Sequence, residues 1–103
     1  MQFEWDETKN AGNKKKHGVS FEAASIVFFD PLALTVADKR SEHEERGITI
    51  GMAGARILFV VHTVSEENGN EEIIRIISAR ESTTRERKLY SDDRWVEGWT
   101  LKG

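Results

Sequence analysis

The period of the hydrophobic positions changes several times along this chain, and each change marks an element. Gln2 to Trp5 alternates polar and aromatic residues, the period of a short strand. Asp6 then offers an N-cap for a helix from Glu7 to Lys16. Ala11 is the only clearly apolar residue of that helix, so the pattern predicts a helix lying across the surface, held through Trp5, Ala11 and lysine stems. Lys9, Asn13 and His17 fall four apart and form one stripe on it. Gly18 suits a left-handed C-terminal residue, and Ser20 caps a second helix, Phe21 to Phe29, whose core face is Phe21, Ala24 and Phe28 with Val27 beside them. Asp30-Pro31 stops it.

The second half reads as an antiparallel meander. Leu32 to Val36 is a strand, and the polar stretch Ala37 to Glu44 is expected to be a mobile loop. Glu45 to Met52 alternates, with Ile48, Ile50 and Met52 inward and Arg46 sharing their face. After a tight turn at Ala53-Gly54-Ala55 comes Ile57 to Val64, the most apolar strand and the expected centre of the sheet. Glu67-Asn68-Gly69-Asn70 carries the Asn-Gly signal of a hairpin leading into a β-branched strand around Ile73, Ile74, Ile76 and Ile77. Thr83 and Glu86 have capping-box spacing and start a last helix that carries Tyr90. The expected class is α+β, with an antiparallel sheet in the order β-α-α-β-β-β-β-α and two N-terminal helices on one face. Residues 1–90 form one domain in this reading. Residues 91–103, with Trp95 and Trp99 four apart, form a C-terminal extension suited to packing or to a dimer contact.

A chain of 103 residues can bury roughly two thirds of its unfolded surface. Its 38% hydrophobic and 32% charged content fits a soluble domain, and no apolar run approaches the ~20 residues of a membrane span. No secretory pattern follows Met1, and with no cysteine there is neither a disulfide framework nor a thiolate nucleophile. The cytoplasm is the expected location. A formal charge of −3 is not that of a typical nucleic-acid binder, but the signs segregate. Acidic residues gather at 42–45, 66–72 and 92–97, and basic ones at Lys14-Lys15-Lys16 and at Arg80, Arg85, Arg87 and Lys88.

The chemistry concentrates where the isoleucine strand is interrupted by Arg75 and followed by Arg80. Alternation puts Arg75 on the face of Ile73 and Ile77, where a charge must be paired or serve a site. Arg75, Arg80 and the Tyr90 hydroxyl would make a compact site for an anion. Both arginines read equally as partners of Glu72 or Glu86 at a strand end. His17 reads as a catalytic imidazole or as a histidine on the helix dipole. His62 fits a satisfied core histidine, and His43 in Ser-Glu-His-Glu-Glu a solvated one. No set of residues has metal-ligand spacing, so neither metal nor cofactor is expected.

Phe3-Glu4-Trp5-Asp6, Lys9, Asn13, Lys16-His17-Gly18-Val19-Ser20-Phe21, Asp30-Pro31 and Arg75-Ile-Ile-Ser-Ala-Arg80 with Glu86 and Tyr90 together resemble the BrnT family. The similarity runs from Met1 to about Tyr90, and the tail beyond it matches no part of the pattern. The resemblance implies a RelE-like fold and an endoribonuclease toxin of a bacterial type II toxin-antitoxin pair. It also implies a cognate BrnA-like antitoxin that neutralises the toxin and through which the complex binds operon DNA. Metal-free RNA cleavage needs a base for the 2′-OH, cations for the phosphorane and an acid for the leaving oxygen. On that basis His17, Arg75, Arg80 and Tyr90 are the catalytic candidates, and Lys9, Lys16, Arg46 and Arg85 the RNA-binding ones. Tyr90 suits either base stacking or proton donation. The reading from a different class is a non-catalytic interaction module in which the arginines are structural.

Overall fold

The computed structural model describes residues 1–40, 46–67, 69 and 71–92. Strand β1 (Gln2–Glu4) is followed by helices α1 (Glu7–His17) and α2 (Phe21–Ser25), then by strands β2 (Leu34–Ala37), β3 (Gly47–Ala53), β4 (Arg56–Glu67) and β5 (Glu71–Glu81), and finally by helix α3 (Thr84–Ser91). The five strands form one sheet in the order β1-β5-β4-β3-β2. β2 to β5 make the antiparallel meander, with β4 central. β1, however, runs parallel to β5, pairing Gln2 with Ile73 and Glu4 with Arg75, so the sheet is mixed and not wholly antiparallel. The meander leaves only β2 and β5 with open edges, and β1 takes the first half of β5.

The other half of that edge is closed by α1. The Asn13 side-chain amide donates to the carbonyls of Ala79 and Val19, each at 2.8 Å, and its oxygen accepts from the Ala79 N–H at 3.2 Å. One carboxamide thus completes the strand ladder where no strand is present. Asn10 is buried and acts similarly, accepting from the Phe21 N–H at 2.7 Å and donating to Glu7 and Glu22. Ala11, the expected apolar anchor, is exposed. The helix is fastened by amides, which hydropathy patterning does not register.

The second expected helix splits. Phe21–Ser25 is α-helical, capped by Ser20, and Ile26–Phe29 tightens into a 3-10 turn before Asp30-Pro31. Met52, expected inward, is 42% exposed at the far end of β3. Leu32, expected to open the second strand, lies 70% exposed in the turn before β2. Three expectations lie outside the described residues: the mobility of 41–45 with His43, the asparagines of the hairpin at Gly69, and the Trp95 to Trp99 turn.

The sheet has two faces. On one, Leu58, Val60, Ile74, Ile76 and Ala79 pack under Val19, Phe21, Ala24 and Val27. On the other, Ile48, Ile50, Phe59 and Val61 pack with Val36, Ile57, Ile77 and Tyr90 of α3. A β-bulge separates the pairs Val61–Ser78 and His62–Ile76, leaving Ile77 as the extra residue on β5. The bulge decides where the arginines point.

Candidate functional site on the α3 face

Strict alternation would send Arg75 and Arg80 to opposite faces. The extra residue at Ile77 shifts the parity, so Arg80 lies opposite Phe59 and its guanidinium carbon stands 4.0 Å from that ring's centroid. Arg75 lies opposite Thr63, on the same α3 face. The two register positions are four residues apart along β4, about 13 Å.

Arg80 is held by its neighbours. Its Nη1 donates to the Glu81 carbonyl at 3.1 Å and to Glu86 Oε1 at 2.8 Å, and its Nη2 donates to Glu86 Oε2 at 3.0 Å. Three of the five N–H groups of a guanidinium are thereby filled. Among the described residues nothing engages the Nε–H or the second Nη2–H, which share one edge of the group. Glu86 is fixed in turn, because its Oε1 accepts from the Thr83 N–H at 2.9 Å and the Thr83 hydroxyl accepts from the Glu86 N–H, the full capping box of α3. Burial acts to raise the Glu86 pKa, but the Arg80 and Thr83 hydrogen bonds outweigh it and hold the carboxyl below its usual range.

Arg75 donates to Glu4 at 2.7 Å, its register partner on β1, and not to Glu72. Tyr90 donates its hydroxyl to Asp30, whose carboxylate also accepts from the Met52 and Leu32 N–H groups at 2.8 and 2.9 Å. Burial and then the Asp30 bond push the Tyr90 phenol up to about 12. Its proton is committed to Asp30, so Tyr90 ties α3 to β3 and to the turn after α2. Beside it lies an open cleft of about 420 Å³, lined by Pro31, Leu32, Leu34, Thr35, Tyr90 and Ser91.

Arg46 directly precedes β3, and its carbonyl accepts from the Asp38 N–H at 2.7 Å. Asp38 also takes a forked pair from Arg40, which the sequence had placed in a loop and passed over. The Arg40 bond first, with Arg46 as a lesser contributor, holds the Asp38 carboxyl below its usual range against the effect of burial. Arg46, Arg75, Arg80 and Tyr90 therefore share the α3 face, and Arg85 is exposed in the first turn of α3.

The remaining candidates lie elsewhere. Lys9, Lys16 and His17 are exposed on α1, which packs at the edge and opposite face of β5. Among the described residues no hydrogen bond or ion pair joins His17 to Arg75, Arg80 or Tyr90. His62 is a core residue, 1% exposed, with Nε2 bonded to Thr49 at 2.7 Å and its ring edge-on to Phe28. No signal in the sequence marked the bulge that assembles the arginines; the Ile-Ile-Arg-Ile-Ile run is as compatible with an unbroken ladder.

The chain is an α+β domain with guanidinium groups held on one sheet face beneath a capped helix. Residues 5–86 match the family model described as ribonuclease toxin, BrnT, of type II toxin-antitoxin system, and the chain belongs to that family. No individual curated protein matches it. Among the described residues no helix is long and apolar enough to cross a membrane.

Proposed function

We propose that the chain is an endoribonuclease that cleaves RNA without a metal ion, using the α3 face of the sheet. The observation that carries this reading is Arg80, oriented end-on by Glu86, laid on Phe59 and left with two adjacent N–H groups on one edge. Such a pair matches two oxygens of a phosphodiester, and a donor set in place before the reaction strengthens as the phosphorane gains charge. Arg75 and Arg46 bind the strand on the same face. Tyr90 positions α3 and does not donate a proton, since its hydroxyl is spent on Asp30. Among the described residues this face holds no histidine, so with His17 outside the reacting centre the rate enhancement is assigned to electrostatic stabilisation, and solvent water takes the 2′-OH proton and returns one to the leaving 5′ oxygen.

The fold is read as RelE-like and the partner as a BrnA-like antitoxin. That partner covers the basic surface around Arg80 on the α3 face and carries the complex to operon DNA. Charge complementarity supports an acidic segment on it.

The test is purified chain with bare RNA, with and without EDTA, followed by mapping of the ends. Cleavage should survive chelation and leave 2′,3′-cyclic or 3′-phosphate termini. Arg80→Ala should lower it ~100-fold or more, the scale of one lost preorganised donor. Activity that vanishes with EDTA and returns with magnesium or manganese would overturn the metal-free reading. Undiminished cleavage by Arg80→Ala would shift the chain toward an interaction module with structural arginines.

A further inference from the structure

Across β1, β5 and β4 and on past the ends of β3 and β2, one row of the α3 face is polar. Glu4 on β1 pairs with Arg75 on β5, and Arg75 pairs with Thr63 on β4. Because Gly47 pairs with His62, Arg46, the residue just before β3, lies opposite Thr63. The Asp38 N–H reaches the Arg46 carbonyl, so Asp38 continues the row past the end of β2. The face is fixed by neighbours, since the His62 ring packs on Phe28 and a side chain at Gly47 would meet that same ring; Thr63 and Arg46 therefore project the other way. The order across the sheet is acid, arginine, hydroxyl, arginine, acid.

We infer that Thr63, flanked by Arg75 and Arg46, forms a second phosphate subsite that binds an RNA phosphodiester farther along the strand than the scissile one. This rests on the proposed ribonuclease reading and extends it from one phosphate to a strand. The three central groups donate hydrogen bonds, and the two arginines stand about 10 Å apart across β4, so both can turn inward over the Thr63 hydroxyl. Each has a carboxylate on its outer side. Arg75 donates to Glu4 at 2.7 Å, with both side chains close to half exposed, a pair of the kind that solvent keeps weak and an incoming phosphate can exchange. The row lies about 13 Å along β4 from the Arg80 position. A strand crossing the face from Arg80 toward Thr63 meets guanidinium at both ends and passes above the buried Val61 and Ile48 between them. The subsite sets substrate length: a dinucleoside monophosphate, with one phosphodiester, fills one position, and a longer oligonucleotide fills both.

The measurement is binding of 2′-O-methyl oligonucleotides, which cannot be cleaved at the 2′ position. The affinity of a tetranucleotide is taken relative to a dinucleotide in each variant. In wild type the tetranucleotide should bind more tightly. Arg46→Ala should shrink that advantage about tenfold, the equivalent of one charge-assisted hydrogen bond. Thr63→Val keeps the β-branched shape, folds, and should shrink it severalfold. Glu4→Gln should enlarge it by releasing Arg75. The salt dependence of tetranucleotide binding should fall by about 0.7 in log–log slope for Arg46→Ala, the value of one phosphate contact to a single strand. An advantage unchanged in all three variants would overturn the subsite while leaving the ribonuclease reading standing. A wild-type chain that bound neither oligonucleotide would overturn both.

Discussion

Asn13→Ala tests the unusual way in which α1 is attached. The substitution removes three hydrogen bonds, one to Val19 O in the link to α2 and two to Ala79 O and N on the part of the β5 edge that no strand covers. At a net ~1 kcal/mol apiece the loss is about 3 kcal/mol. The helix regains roughly 0.5 kcal/mol because alanine is the better helix former. The expected change is about 2.5 kcal/mol, which for a domain of this size lowers the melting temperature by roughly 10–20 °C. Asn13→Asp should cost more, because two carbonyls would then face a carboxylate that cannot donate. Ala11→Ser, at the exposed position that hydropathy nominates as the anchor, should change stability by no more than about 0.5 kcal/mol. Urea unfolding of the three variants at one pH measures all of this. If Asn13→Ala matched Ala11→Ser, the amide would not be the fastening, and α1 would have to be held by packing.

Other outcomes follow from single groups. Burial lowers the His62 pKa from 6.5 to about 4, so the folded state favours the neutral ring. That stability is complete above pH 6.5 and is lost as the pH falls toward 4, by ~3 kcal/mol in all. Urea midpoints between pH 7 and 4.5 should show this slope, and His62→Leu should flatten it. Tyr90→Phe should destabilise by about 1–2 kcal/mol through the lost bond to Asp30 and leave cleavage chemistry in place, which activity measured well below the melting point checks. Glu86→Gln keeps the size of the side chain but not the charge that orients Arg80, and should lower cleavage about tenfold. Full activity would make the fork a structural pair only.

Period and capping chemistry alone determined the elements. Asp6, Ser20 and Thr83 cap the helices expected of them and Gly18 ends α1 at φ +72°, because each of these is a local steric or hydrogen-bonding preference of a few adjacent residues, and the apolar run of β4 marked it as the central strand. The residues named for the α3 face were also legible, Arg75 as a charge on an isoleucine face and Arg46, Arg80 and Tyr90 as polar groups at strand ends or on the helix that follows. The tertiary structure decided how they meet. A one-residue bulge reverses the direction of every side chain after it and brings Arg80 onto the face of Arg75, yet it leaves no trace in a run of isoleucines. The parallel pairing of β1, the row from Glu4 to Asp38 and the Asn13 bonds join residues far apart in the chain. Such partners are chosen by which backbone edges remain unpaired after the meander closes, a property of the assembled sheet and not of any local stretch.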